Sequence, residues 1–386
     1  MEVRKISQIF STRSFFPSYH HNFYSLPVSL RGKDCFFLTV ISVLLQFRAH
    51  NTIETSYGGI LKTFKFICWI LSTISVSFAL AQDNFLPANI LMMDAKFSHH
   101  VILVEKATHK IYLYENNASR PKLLKTYDAA TGKFKGDKFV SGDHKTPEGI
   151  YTLYEFFSKE ELLKRHGKYA EIYGSGAFPM DYPNFIDKVE RKTGNGIWLH
   201  STDDDNRISK GLDSRGCVVI KNADIKDISQ YIQLEHTPII VVQDVFYLPR
   251  NAWDKSRKQI NLLVDRWAKA WQEKDFETYI SSYSQEEFYD KRHRNYNGYR
   301  SYKKAVFSRA DTPQIKLEYI SMFTTKDYAV VNIQQDYRSS VINDIGKKTL
   351  YLKKDKNYEW KIVGELWSKV EDNSLAFTPS KRFFKD

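Results

Sequence analysis

His200 and Cys217 stand seventeen positions apart, and between them they can carry nucleophilic chemistry. A thiol attacks a carbonyl well only as its thiolate, and a neighbouring imidazole can take the proton. The histidine closes the run "GIWLHS" and the cysteine opens "GCVVI", both of strand character, with the polar stretch "TDDDNRISKGLDSR" between them. A strand–loop–strand arrangement sets the ends of the two strands side by side. Gly216 leaves room for a substrate backbone, and the successive amides of Arg215, Gly216 and Cys217 can donate to an oxyanion. Pairing alone fits a Cys/His dyad and a structural histidine beside a bystander thiol equally well. His99 and His100 invite a metal reading, but adjacent residues on a strand face opposite sides, so neither metal nor cofactor is expected.

The sequence holds three cysteines, Cys35, Cys68 and Cys217. Lys62 and Lys65 precede an apolar run from Phe66 to Phe78, and Ala79-Leu80-Ala81 is a small-x-small cleavage site before Gln82, the pattern of a signal peptide. An uncleaved membrane anchor is the alternative, because the run is near the lower length limit of a span. Residues 1–60 carry a second apolar run, Cys35 to Phe47, and no methionine after Met1. A bacterial signal peptide normally begins its protein, so translation is expected to start at Leu61. Cleavage after Ala81 removes Cys35 and Cys68 and leaves Cys217 unpaired in an exported protein, where cysteines are usually paired or absent. A small buried hydrophobe is the plain alternative for such a thiol. The polar, glycine-bearing surroundings "GLDSRGCVVI" argue against it.

A hydrophobic fraction of 42% and an aromatic fraction of 15% place the chain in the globular class and exclude disorder as its general state. The net charge is +12, of which residues 1–81 supply +5 through eight basic and three acidic side chains, leaving +7 on the remainder. That excess suits an anionic polymer: nucleic acid, a membrane surface or a cell wall. The sequence carries no helix-turn-helix, zinc-finger or RNA-binding signature, which sets nucleic acid aside.

The elements that must position the pair follow from hydrophobic periodicity. Residues 82–98 form a connecting arm, with contact to a second copy of the chain, a homodimer, as one use for it. "HHVILVEKATHKIYLYEN" reads as a strand buried on both faces, a turn and a hairpin partner. "KLLKTYDAATGK" and "KTPEGIYTLYEF" give further strands, and residues 158–172 a helix. "NADIKDISQYIQ" has an N-cap start with Ile225, Ile228 and Ile232 at helical spacing, and "TPIIVVQD" is a last strand. Mostly strands with one or two helices over residues 99–245 describes a compact β-rich domain. After Asp244 the pattern changes. A long amphipathic helix is expected at Ile260 to Gln272, a second around Phe276 to Tyr283, and then three strand regions. Helices followed by a curved antiparallel sheet describe an α+β cone over residues 255–368. Residues 371–386 look like a polar tail.

"IWLHS" followed by "DSRGCVVI" resembles the L,D-transpeptidase catalytic domain, whose signature is a strand-borne histidine and then Ser-x-Gly-Cys. "KTPEGIYTL" matches that family's Thr-Pro-x-Gly-x-Tyr element, and "GSGAFPMDYPNFID" its Phe-Pro-Leu-x-Tyr-Pro-Asn segment. Four elements in the right order over residues 99–245 make the match specific. The resemblance implies a β-sandwich with short helices, with Cys217 as nucleophile, His200 as its base, the Ser201 main-chain carbonyl orienting the imidazole, and the Gly216 and Cys217 amides in the oxyanion hole. Ser214 would hydrogen-bond substrate or shape the turn. Tyr173 and Tyr182, with Met180 and Asn184, would flank the cleft and contact a peptide stem, or pack in the core. The acidic loop Thr202 to Arg207 would recognise the free amine of a diaminopimelate side chain, or be merely solvated. An arginine is common two places after the family's cysteine. Val219 stands there, with Arg215 the candidate substitute.

The region 255–368 resembles the NTF2-like cone, through "LVDRWAKAWQEKDFETYISSY", "YRSYKKAVF" and strands ending in "WKIVGELW". A pocket lined by residues such as Tyr283, Arg300 and Trp367 is expected in it. The pairing of the two domains behind a signal peptide resembles the cell-shape L,D-carboxypeptidases, which trim terminal D-alanine from tetrapeptide stems of peptidoglycan. Implied partners are stem peptides and, through the cone, cell-shape or wall-synthesis proteins. The alternatives are an L,D-transpeptidase forming 3-3 cross-links or attaching protein to the wall and, in another class, a non-catalytic wall-binding scaffold.

Overall fold

A computed structural model describes residues 85–309, 312–340, 342–370 and 383–384; the expected signal segment and start site lie outside them. Chain order starts with two short strands, β1 (Phe85–Pro87) and β2 (Ile90–Met92). The first domain then runs β3 (His100–Glu105), β4 (Lys110–Asn117), β5 (Arg120–Asp128), β6 (Thr131–Gly132), β7 (Gly149–Thr152), β8 (Phe157–Ser158) and α1 (Lys159–His166). It continues through β9 (Gly176–Pro179), α2 (Phe185–Val189), β10 (Trp198–His200), β11 (Leu212–Ser214), β12 (Val218–Val219), α3 (Asn222–Ser229) and β13 (Pro238–Val242). β14 (Tyr247–Pro249) leads into the second domain: α4 (Arg250–Gln272), α5 (Phe276–Ser281), α6 (Tyr296–Arg309), β15 (Gln314–Thr324), β16 (Ala329–Arg338), β17 (Asn343–Lys354) and β18 (Trp360–Lys369).

The first domain packs two larger sheets over one core, in the strand orders β5-β4-β3-β13-β7 and β12-β10-β9-β8, and β6 and β11 form a third, two-stranded sheet. All six residues of β3 and all five of β13 are buried, which is why both are continuous apolar runs with little alternation. The second domain lays α4 across the sheet β18-β17-β16-β15-β2. Trp253, Ile260, Leu263, Val264, Trp267 and Trp271 form its buried stripe at helical spacing.

Three differences from the sequence reading have local causes. α4 begins at Arg250, ten residues before the expected start, because Trp253 anchors the first turn by donating from Nε1 to the Ile90 carbonyl at 3.0 Å. The helix expected over 158–172 opens on a Ser158/Glu161 capping box but ends at His166. Gly167 adopts φ +62, and a 3-10 segment continues to Tyr173. The arm is built into its own chain: β1 pairs with β14, and β2 with β15 (Met322 opposite Met92), so it forms no free dimerisation strand. The end of the expected polar tail also docks, since Phe383 and Phe384 pack on Phe156 at 5.1 and 5.0 Å.

The two domains share a core. Ile150, Ile186 and Ile240 of the first pack with Phe323, Tyr328, Val330, Tyr351 and Val363 of the second. At its centre the Tyr328 hydroxyl accepts from the Ile150 amide of β7 at 2.8 Å and from Asn184 Nδ2 at 3.2 Å. Phe185 stacks on Tyr351, with centroids 4.6 Å apart. Gly364 makes room for the same ring: a Cβ there would lie 2.1 Å from Phe185 Cζ.

Removing the Tyr328 hydroxyl orphans the buried Ile150 amide, and such a group costs about 1–3 kcal/mol. Tyr328→Phe is therefore expected to lower unfolding free energy by that amount in denaturant titration. Tyr358→Phe, at a ring 82% exposed, is expected to change it negligibly.

Candidate active site

The pairing of β10 with β12 places the two reactive side chains. The strands run parallel, with Leu199 opposite Val218 and His200 opposite Val219. Side chains alternate along a strand, so His200, Val219 and Cys217 share one face, with Cys217 one diagonal step from the imidazole. β9 flanks the other edge of β10.

His200 is 3% exposed, and its Nδ1 lies 2.5 Å from the Ser201 carbonyl. That acceptor fixes the proton on Nδ1 and leaves Nε2 as the free lone pair. Tyr173 stands edge-on to the ring at 4.9 Å and also packs on Trp198 at 4.8 Å. Burial lowers the imidazole pKa to about 4, opposed by the Ser201 carbonyl and helped by the charge of Arg207. Cys217 is half-buried, with Sγ 3.5 Å from the Gly196 carbonyl. Burial raises its pKa to about 11, while a hydrogen bond from the Trp198 backbone and the charges of Arg207 and Lys138 pull it the other way. Among the described residues no hydrogen bond joins the thiol to the imidazole. At neutral pH both groups are neutral, so a thiol acting here as a nucleophile would have to lose its proton as it attacks.

The nucleophile turn is built from Ser214 and Gly216. Ser214 Oγ donates to the Cys217 carbonyl at 2.6 Å and accepts from the Gly216 amide at 3.0 Å. The Gly216 amide, expected in the oxyanion hole, is thus occupied by a side chain of its own turn. That expectation is corrected for Gly216, which is needed here for its backbone: it adopts φ +128, and a Cβ would lie 2.8 Å from the Lys145 carbonyl. Ser214 correspondingly shapes the turn. Val219 is fully buried beside Ala130 and Ile208, so its position belongs to the core. Arg215 is exposed next to this turn, and its charge reaches Tyr173.

The segment around Tyr182 is not cleft wall. Tyr182 is 5% exposed, packs on Tyr151 and donates from its hydroxyl to the Thr193 carbonyl at 3.2 Å. Asn184 caps α2 and reaches Tyr328 of the second domain. The acidic loop is likewise taken up by local structure. Asp203 and Asp213 hold Arg207 at 3.3 and 2.5 Å, Asp204 accepts from the Asn206 amide at 2.9 Å, and Asp205 accepts from the Asn222 amide at 3.2 Å. The two adjacent histidines meet instead of facing apart, Nδ1 to Nδ1 at 2.7 Å, because His99 lies just before β3 where strand alternation does not apply.

A second polar cluster, which local sequence pattern does not reveal, lies inside the cone. Trp267 donates to the Tyr283 hydroxyl at 2.9 Å, Tyr299 donates to Glu365 at 2.7 Å, and Lys348 lies 3.5 Å from the same carboxylate. Lys303 sits 5.3 Å from the Trp271 and Tyr299 rings, and burial lowers its pKa to about 8. Of the residues expected to line a pocket there, Tyr283 belongs to this cluster. Arg300 pairs with Glu277 at 3.0 Å, and Trp367 is 42% exposed on β18.

A thiol with a pKa of about 11 is alkylated ever faster as pH rises, gaining close to tenfold per unit until its thiolate saturates. Iodoacetamide modification of the Cys217 peptide, followed by mass spectrometry, is expected to climb through pH 10. A plateau by pH 9.5, as for an ordinary thiol near 8.5, would contradict the buried, neutral pair.

Residues 99–241 match the L,D-transpeptidase catalytic domain family, and residues 259–366 match the Cds6 C-terminal NTF2-like domain. Among solved structures, Bd1075 of Bdellovibrio bacteriovorus is 35% identical, with a TM-score of 0.65 over 75% of this chain and 100% of that one. The helical cell shape determining protein Pgp2 of Campylobacter jejuni is 26% identical, with a TM-score of 0.59 over 72% of this chain and 94% of that one. No curated protein sequence matches. With both family matches in the order the fold displays, and a relative at 35% identity covered along its whole length, the chain belongs to the L,D-transpeptidase family in a two-domain form with a C-terminal NTF2-like domain.

Proposed function

We propose that the chain is an exported, periplasmic L,D-carboxypeptidase that removes the terminal D-alanine from tetrapeptide stems of peptidoglycan. The observation that carries the reading is the His200–Ser201 carbonyl contact, which leaves the Nε2 lone pair free to accept a proton on the face that also bears Cys217. Cys217 Sγ attacks the carbonyl carbon of diaminopimelate at its L-centre, and His200 Nε2 takes the thiol proton. The Cys217 amide donates to the oxyanion. The carbon–nitrogen bond breaks, D-alanine leaves with the proton from His200, and a thioester remains. Water, deprotonated by the same nitrogen, cleaves the thioester, giving the tripeptide carboxylate and the restored thiol. Pgp2 is a helical cell shape determining protein, which supports a matching role for this chain.

The terminal carboxylate needs a cation, and Val219 cannot supply one. Lys138 is held by Asp143 at 2.7 Å and Arg207 by Asp213 at 2.5 Å, whereas Arg215 makes no ion pair among the described residues. Arg215 therefore takes the substrate carboxylate. Arg215→Gln is expected to raise KM for tetrapeptide about tenfold with a smaller effect on kcat, as the loss of one exposed charge-assisted hydrogen bond requires.

Incubation of the purified chain with muropeptides tests the reaction. Release of D-alanine from monomeric tetrapeptide, abolished by Cys217→Ala, is the expected result. New cross-linked dimers would instead make the enzyme a transpeptidase, and intact binding with no turnover would make it a wall-binding scaffold.

A further inference from the structure

Asn222, the first residue of α3, ties three stretches of chain together with one side-chain amide. Its Oδ1 accepts from the Ser175 N–H at 2.9 Å and from the Ser175 hydroxyl at 2.8 Å. Its Nδ2 donates to the Thr202 carbonyl at 2.6 Å and lies 3.3 Å from Asp205 Oδ1. Gly174, at φ +58, is pressed into this junction: a Cβ there would fall 2.5 Å from Asn222 Oδ1 and from both the nitrogen and the oxygen of Thr202. Only glycine fits that backbone and that space.

The stretches so joined are the ones that touch His200. Tyr173, edge-on to the imidazole, lies two residues before Ser175. Thr202 directly follows Ser201, whose carbonyl holds Nδ1. The Ser201 hydroxyl sits between them, accepting from the Ser175 N–H at 2.7 Å and donating to the Tyr173 carbonyl at 3.0 Å. Among the described residues Asn222 itself makes no hydrogen bond to His200 or Cys217, so whatever it does for them passes through these neighbours.

We propose that Asn222 is the positioning residue of the catalytic histidine: by clamping Ser175 to Thr202 it fixes both contacts of the imidazole, the Tyr173 ring and the Ser201 carbonyl, and so aims Nε2 at the thiol. The task needs an acceptor and a donor on one short side chain. Alanine removes both. Ionised aspartate keeps the acceptor toward Ser175 but turns a second oxygen against the Thr202 carbonyl and the Asp205 carboxylate. Protonated aspartate regains a donor. The inference rests on the Cys/His reading of the site, not on which peptide bond is cleaved.

The test compares the full chain with Asn222→Ala, Asn222→Asp, Tyr173→Ala and the Asn222→Ala/Tyr173→Ala double variant. Unfolding curves, D-alanine release and alkylation of the Cys217 peptide are measured for each. Folded Asn222→Ala is expected to lose at least tenfold in kcat with less than twofold change in KM. Asn222→Asp should match that loss at pH 7.5 and regain kcat relative to wild type as the pH is lowered to about 4, where its carboxyl protonates. The double variant should lose no more than the worse single one, the non-additivity expected of a shared route. A kcat within twofold of wild type in folded Asn222→Ala, or additive losses, overturns the proposal. If Asn222→Ala does not fold, an Asn222→Asp to wild-type ratio that is flat from about pH 4 to 7.5 overturns it instead. Alkylation rates carry the same comparisons without substrate. Absence of D-alanine release by the wild type would therefore count against the carboxypeptidase reading alone.

Discussion

Everything reactive in this chain depends on the parallel register of two very short strands. Three residues of β10 and two of β12 set His200 opposite Val219 and put Cys217 on the same face. A slip of one residue would turn the thiol to the other side of the sheet. Parallel neighbours cannot be joined by a tight turn, so the chain must leave β10, cross over and return. The crossing residues are fixed by polar contacts instead of regular pairing: Arg207 gathers Thr202, Asp203 and Asp213, and Asn222 gathers Ser175, Thr202 and Asp205. The aspartates of the loop serve the crossover.

That division explains what the sequence discloses and what it hides. Apolar runs such as "HVILVE" and "PIIVV" announce buried strands, because periodicity is a local property and these strands are buried on both faces. The histidine and cysteine are legible for the same reason: His200 ends one short strand, Cys217 immediately precedes the next, and the polar stretch between them has to be a crossing loop. Tyr182 and Asn184 are not legible. An aromatic, proline-containing segment looks the same whether it lines a cleft or meets another domain, and only the packing of Tyr328 and Tyr351 against it decides. The use of the Gly216 amide by Ser214 is a local turn interaction, but its sequence pattern fits an open oxyanion donor just as well. The cone cluster draws on residues from Trp267 to Glu365, a span with no local signature.

The contact between the domains is more than adjacency. β7 is an edge strand of the first sheet, and edge amides invite unwanted pairing. The second domain covers this edge with Tyr328 and packs Phe185 into the space left by Gly364. The arm adds β2 to the sheet of the second domain before the first domain has begun. Chain order thus makes the second domain incomplete without the residues that precede the first. The two are expected to unfold as a single cooperative unit.

A thiol with its pKa near 11 is ionised in only about one molecule in ten thousand at pH 7. Sulfenic acid formation and mixed-disulfide exchange both proceed through the thiolate, and both slow as its population falls. The neutrality that burial imposes on Cys217 and His200 is also a form of chemical armour: a sulfur that keeps its proton offers oxidants little thiolate to attack.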